Sequence, residues 1–194
     1  MLITFDIEDY YKNFCKFNLN KEVIHNKLFL EKTLIISNEL SKNKISAIFF
    51  ILGDIIELFP EIIQKIINDG HQIGIHGYNH TPINDFDKLD FKQDLIKCQN
   101  SLSKIDKKLK IKYYRSPAFS MMHNIQDYYD VLNDMGIDFS SSLIINNYVK
   151  IKNKIQFGKV KEFPIHSIDF IFFKYKFTGG SFFRITPYFI LKFL

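Results

Sequence analysis

The sequence predicts an α/β fold with a mainly parallel sheet and helices outside it, and three patterns carry that prediction. Short apolar runs alternate with amphipathic stretches along most of the chain. One run, Ser46 to Leu52, is apolar throughout and ends at Gly53, as a strand buried on both faces does. Phe91, Leu95, Cys98, Leu102, Ile105 and Leu109 recur at threes and fours on a polar background, the clearest amphipathic helix in the protein. Repeated strand and helix units of this kind make successive strands parallel, because each helix carries the chain back to the same end of the sheet.

The elements follow in order. Leu2-Ile-Thr-Phe-Asp6 is a first strand that ends among acids. A polar stretch leads to a helix from about Lys21 to Ser41, with Leu30, Leu34, Ile36 and Leu40 facing the core. After the Ser46–Leu52 strand, Pro60 starts a helix striped by Ile62, Ile63, Ile66 and Ile67, and Gly70 stops it. His71 to His76 is a strand in which Ile73 and Ile75 alternate, and the long amphipathic helix comes next. Lys112–Tyr114 is the following strand, Gln126–Met135 a helix closed by Gly136, and Ile137–Leu143 another strand. Beyond Ile144 the pattern loosens. Asn146 to Gly158 reads as a lysine-rich turn region, Val160 to Ile165 as a strand, and Ile168 to Phe177 as a Phe-rich strand or hairpin. Thr186 to Leu194 reads as a proline-started helix with Tyr188, Leu191 and Leu194 along one face.

A chain of 194 residues with 46% hydrophobic content buries one sizeable core, and no shift in composition divides it, so residues 1–194 are expected to form a single domain. The net charge of +5 comes from lysines dispersed among acids. Even the densest group, Lys104 to Lys112, has the apolar spacing of a solvated helix end, so no nucleic-acid partner is expected. The longest apolar run, Ile168 to Phe173, is broken by Asp169 and far too short to span a membrane. Strand residues begin directly after Met1, so the expected chain has no signal peptide and a cytoplasmic location. Cys15 and Cys98 make neither a disulfide framework nor a zinc knuckle.

Chemistry concentrates at two strand ends. Asp6, Glu8 and Asp9 place three carboxylates within four positions, where they repel one another unless a cation sits among them. His76 and His80 stand four residues apart beside Gly77, where a strand gives way to a loop. That spacing lets both imidazoles address one ion if the segment makes a helical turn. Two histidines and one carboxylate form an open, three-ligand site of the catalytic kind. Each group alone reads as solvated loop residues; together they read as a metal site.

Four segments in this order resemble the motifs of the polysaccharide deacetylases, the NodB-homology domain of carbohydrate esterase family 4. They are Thr4-Phe-Asp6-Ile-Glu-Asp9-Tyr, Ala47 to Gly53, Gly70 to His80, and Tyr114-Arg115-Ser-Pro117-Ala-Phe-Ser120. The Asp-x-Glu-Asp form of the first, and Gly179 to Tyr188, are similar to the branch associated with exopolysaccharide export. The resemblance implies a distorted, incomplete (β/α) barrel and a metal-dependent hydrolase that removes an N-acetyl group from a sugar of a surface polysaccharide, peptidoglycan or glycan precursor. It implies a divalent ion, with zinc the first choice, held by His76, His80 and the next acid of the first motif. Strand alternation favours Glu8 for that role, and a bulge or turn would substitute Asp9. Asp6 matches the family's catalytic base and Arg115 the arginine that orients it. Tyr78, Tyr114, Pro117 and Phe119 are the candidates for contact with the N-acetylated carbohydrate, while His71 and His25 are bystanders.

Amide hydrolysis needs an activated water, stabilisation of an oxyanion and a proton for the leaving amine. The first two are provided for in these motifs; the third departs from the family pattern. The family's final motif is a histidine well beyond the Pro-Tyr segment, and here no histidine follows His166. A second departure puts Ser140 where the branch has an aspartate, with Asp138 two positions early. The expectation is therefore a domain lacking its last strand and final motif, weak in catalysis by itself, with self-association or peripheral membrane contact through the C-terminal segment. One alternative is a deacetylase-like protein that only binds metal or sugar. Another is an allantoinase-like cyclic amide hydrolase, against which the histidine pair argues.

Overall fold

The computed structural model describes residues 3–9, 27–146, 155–170 and 173–176. The elements are β1 (Thr4–Ile7), α1 (Lys27–Lys42), β2 (Ile48–Ile51), α2 (Gly53–Leu58), α3 (Pro60–Asn68), β3 (Gln72–Ile75), α4 (Lys88–Ile105), β4 (Tyr113–Tyr114), α5 (Ile125–Asp134), β5 (Phe139–Ser140), β6 (Ile144–Asn146), β7 (Ile155–Phe157), β8 (Val160–Glu162), β9 (Ile165–Phe170) and β10 (Phe173–Lys176). Single 3-10 turns lie at Ile83–Asp85 and Pro117–Phe119.

Seven strands form one sheet in the order β1-β2-β3-β4-β5-β8-β7. All neighbours are parallel except the β7–β8 pair. A second sheet has the order β10-β9-β6, with β9 and β10 antiparallel. Among the described residues the larger sheet stays open from β1 to β7, so the α/β architecture is that of an incomplete barrel. Its core lies between strands and helices, where Phe49, Ile51, Ile55, Ile56, Ile66, Ile75, Phe91 and Leu95 are fully buried. Burying each such side chain stabilises the fold by about 1.5 to 3 kcal/mol.

Register sets the level of the site. Ile7 pairs with Ile51, Ile51 with Ile75, and Ile75 with Tyr114. The next residues, Glu8, His76 and Arg115, therefore leave the sheet at one height, at the C-terminal ends of parallel strands, where α/β folds gather reactive groups.

Several elements differ from the sequence reading. Ile36 is 44% exposed, because the buried stripe of α1 is Leu30, Thr33 and Ser37, and six residues from Leu30 lies about a third of a turn off it. Helix α2 was not anticipated; at six residues it is too short to show a period. Leu109 packs on the core from beyond the end of α4, since Asp106 takes an extended conformation and caps that helix. β5 is two residues rather than seven, and β7 lies inside the stretch read as a turn. The Phe-rich hairpin forms as β9 and β10, although β9 begins at Ile165. No described helix is long and apolar enough to cross a membrane. His25, the Gly179–Tyr188 segment and the helix expected at the C-terminus lie outside the described residues.

Candidate active site

β1 presents Asp6 and, two positions on, Glu8 to the same side. β3 ends at Ile75 and delivers His76, which is buried. The Nδ1–H of His76 is placed to donate to the Arg115 carbonyl at 2.9 Å, which fixes the ring and leaves the Nε2 lone pair for another partner. Burial holds the imidazole pKa below its ordinary value, against an opposing pull from Asp6, so the neutral form that ligates metals is favoured.

The chain then reverses, though not through a helical turn. Gly77 has φ +76° and His80 φ +62°, so left-handed residues bring the second imidazole back to the first, with ring centroids 5.2 Å apart. A side chain at position 77 would meet Pro117 Cγ at 3.0 Å. Glycine therefore meets two demands there, a positive φ and a close neighbour. One ligand atom from each of Glu8, His76 and His80 lies within 4.8 Å of the others. His80 Nε2 and Glu8 Oε2 are 2.5 Å apart.

Next to this group, Arg115 binds Asp6. Its Nη1 donates to Asp6 Oδ1 at 2.6 Å, Nη2 to Thr4 Oγ1 at 3.1 Å and to Ser141 Oγ at 3.0 Å, and Nε to the Ser141 carbonyl at 3.1 Å. The guanidinium stacks 4.2 Å from the Phe50 ring centroid. With its side chain 6% exposed, Arg115 is a buried cation held by four directed bonds, and only one carboxylate oxygen of Asp6 is used in the pairing.

The serine run from Ser140 to Ser142, at and just beyond the end of β5, supports this arrangement from behind. Ser142 Oγ accepts from the Ser116 amide and from Ser140 Oγ, and Glu162 Oε1 accepts from the Ser142 and Leu143 amides. Tyr129 donates to Glu162 Oε2 at 2.6 Å. Ser140, in place of the branch's aspartate, thus donates to another serine hydroxyl, while Asp138 pairs with Lys112 at 3.0 Å and does not replace it. The sequence alone assigns no role to Glu162, Ser141 or Thr4. A glutamate at an inward position of the alternating strand Val160–Glu162 was the signal available for the first.

The candidates for substrate contact separate. Tyr114 is 1% exposed and packs edge-on against Phe91, so it is a core residue; its place at a strand end is filled by α4. Pro117 is buried and packs close to the Gly77 turn. Tyr78 turns toward α2 and α4, donating to Glu57 Oε2 at 2.8 Å, a bond that pushes its hydroxyl up to about 12. Phe119 is half-buried with its ring centroid 5.7 Å from the Arg115 guanidinium. It and Ala118 both take left-handed backbone angles, φ +52° and +53°, which is unusual for a bulky side chain. Asp9 is buried and falls outside the ligand group. His71 is a core histidine, accepting from the Ala47 amide and bonded to the Ser37 carbonyl at 2.9 Å.

The residues present suit a divalent ion. Two imidazoles and a carboxylate are the donor set of an open zinc site. His76 has one ring nitrogen engaged by a backbone carbonyl, the usual outer support of a ligating histidine. Among the described residues, His80 Nδ1 is buried with no hydrogen-bond partner and its Nε2 meets a potential fellow ligand, so neither nitrogen is committed there to a structural bond with the backbone.

Known proteins share sequence and fold with this chain. The chain is 34% identical over 76 residues to a peptidoglycan-N-acetylglucosamine deacetylase of Bacillus cereus, a match spanning 39% of the chain and 28% of that relative. The chain thus covers well under two thirds of the relative's length. A Mycobacterium smegmatis protein solved as a candidate polysaccharide deacetylase superposes with a TM-score of 0.61 at 19% identity, over 84% of this chain and 57% of that one. A carbohydrate esterase family 4 pseudoenzyme from Bacillus anthracis superposes at 0.54 and 13% identity, over 84% and 55%. These two likenesses show the fold. A family model described as polysaccharide deacetylase matches residues 2–140, the stretch that holds Asp6, Glu8, His76, His80 and Arg115. The chain belongs to the polysaccharide deacetylase family.

Proposed function

We propose that this chain is a metal-dependent N-deacetylase that hydrolyses the acetamido group of an N-acetylated sugar in a surface glycan or its precursor. The observation that carries the reading is the Glu8, His76 and His80 group, its ligand atoms within 4.8 Å, beside the Asp6–Arg115 pair at the same end of the sheet. Those three residues would hold a divalent ion, zinc by donor type, which when bound supplies Lewis acidity toward an amide carbonyl and makes water more acidic. Asp6 takes the proton of the attacking water at Oδ2, because Oδ1 is held by Arg115. Arg115 positions that carboxylate through its bonds to Thr4 and Ser141. Phe119 lies over the guanidinium and offers a hydrophobic ring beside the reacting groups. The net reaction consumes water and yields acetate and a free amine, whose nitrogen must regain a proton. The histidine pair favours this reading over a metal-free cyclic amide hydrolase, which has no use for it.

The activity assigned by name to the Bacillus cereus relative supports peptidoglycan as a substrate. The Asp-x-Glu-Asp motif and the Gly179–Tyr188 segment support an exopolysaccharide. Acetate release from N-acetylglucosamine oligomers, peptidoglycan fragments and an N-acetylated exopolysaccharide tests both. We expect release from at least one of them by zinc-loaded protein, and its loss in His76→Ala. Zinc-loaded protein that frees no acetate from any of the three would overturn the reading.

A further inference from the structure

The turn that carries the histidine pair is held from outside by two helices that contribute nothing to the metal group. Gly53 and Asp54, at the start of α2, donate their amides to the Gly77 and Tyr78 carbonyls at 2.9 and 3.0 Å. From α4, Asp94 accepts the Tyr78 amide with both carboxylate oxygens, at 3.0 and 3.3 Å. The Tyr78 ring lies close over Gly53, where an added Cβ would sit 2.6 Å from its Cδ2, and the hydroxyl is tied to Glu57. Glu57 is itself held by Lys104 and Ser101 of α4. The peptide groups midway between His76 and His80 are thus fixed by named partners, and their side chain points away from the ligands.

Asp94 is the unexpected member. An asparagine or serine would satisfy one amide without the cost of burying a charge, yet a carboxylate stands there, 7% exposed. Asp94 bonds neither imidazole but the backbone between them; partners that orient metal ligands directly are commonly worth about 10- to 100-fold in metal affinity.

We propose that Asp94 is a positioning residue of the metal site, holding the Gly77–Tyr78 turn so that His76 and His80 converge on one ion. The proposal rests on the metal-dependent reading above, but it concerns ion affinity and not turnover. Its test is a zinc titration of the full chain by calorimetry, with cobalt(II) absorption as a second readout of ligand geometry. Asp94→Ala should bind zinc about 10- to 100-fold more weakly and show an altered cobalt spectrum, while circular dichroism stays native. Asp94→Asn, which keeps an acceptor for the Tyr78 amide, should restore affinity to within a few-fold of the parent. If Asp94→Ala does not fold, Glu57→Gln, which weakens the same clamp through Tyr78, should lower zinc affinity in a folded protein. Parental zinc affinity and cobalt spectrum in a folded Asp94→Ala, or in Glu57→Gln where Asp94→Ala does not fold, would overturn the proposal. So would a parent that takes up no divalent ion. A parent that binds zinc, loses affinity on Asp94→Ala and yet frees no acetate would sink the deacetylase reading and leave the role of Asp94 standing.

Discussion

Arg115 spends its donors on a carboxylate, a threonine, a serine hydroxyl and a carbonyl, and its own carbonyl receives His76. One residue therefore sets the orientation of both Asp6, the proposed base, and His76, a proposed ligand. Asp6→Asn keeps the shape of the acceptor for Arg115 but cannot take a proton, so turnover should fall by about 10² to 10⁴ while zinc affinity stays near the parent's. Acetate release and calorimetry separate the two; an Asn variant that lost its zinc would move Asp6 into the ligand set. Ala118 shows a different economy. Its left-handed backbone costs roughly 1 to 2 kcal/mol relative to the right-handed form, and its side chain is exposed. Ala118→Gly removes that strain and adds freedom to the unfolded chain, for a net gain of about 0 to 1 kcal/mol in urea unfolding. A loss larger than about 1 kcal/mol would show that the methyl group packs against something.

Helix α4 fills the core with Phe91, Leu95, Cys98 and Leu102 and, from the same turns, lends Asp94 to the histidine loop. Burial pushes the Asp94 carboxyl up to about 6 from 3.8. Between those values the folded chain binds more protons than the unfolded one, so stability falls as pH climbs through the window, and the cost is complete above about pH 6. Asp94→Asn removes this dependence. Urea midpoints of parent and variant should diverge between pH 4 and pH 7, the parent losing on the order of 3 kcal/mol relative to the variant. A difference that did not change with pH would mean Asp94 titrates normally. His76 acts in the opposite sense: its lowered pKa makes folding less favourable as pH falls below 6.5, in both proteins alike. Gly53→Ala should cost about 1 to 3 kcal/mol, because the new methyl meets Tyr78 at 2.6 Å and Cys98 Sγ at 2.9 Å. α4 was legible in the sequence because its apolar residues repeat over five turns, and so was the Pro60–Gly70 bracket of α3, with its apolar stripe. α2, the two-residue strands and the left-handed residues were not, since they are set by contacts with distant segments and leave no local period. The same division runs through the site. His76, His80, Asp6 and Arg115 stood out by residue type and motif order, and the structure brings them together. Tyr114, read as a groove residue, belongs to the core, and Asp94, Glu162 and Ser141 are given away by partners far along the chain.

The sheet as a body turns sequence distance into proximity. An ion bound by Glu8, His76 and His80 would join β1 to the end of β3 and stabilise the folded chain only, by about 2.7 kcal/mol at a hundred times its dissociation constant. Zinc should therefore raise the melting temperature of the parent and leave that of His76→Ala unmoved; equal shifts in both would place the ion elsewhere. The alignment of Ile7, Ile51, Ile75 and Tyr114 has a further consequence, in time rather than in space. Asp6 and Arg115 are 109 residues apart in the chain. Closing so long a loop costs entropy that local helices do not face, which makes this contact a late event in folding. If metal capture needs β1 already seated beside β2 and β3, the ion reads out a nearly finished molecule. It would then slow the loss of structure without hastening its gain, and stopped-flow traces with and without zinc should differ in their unfolding arm alone.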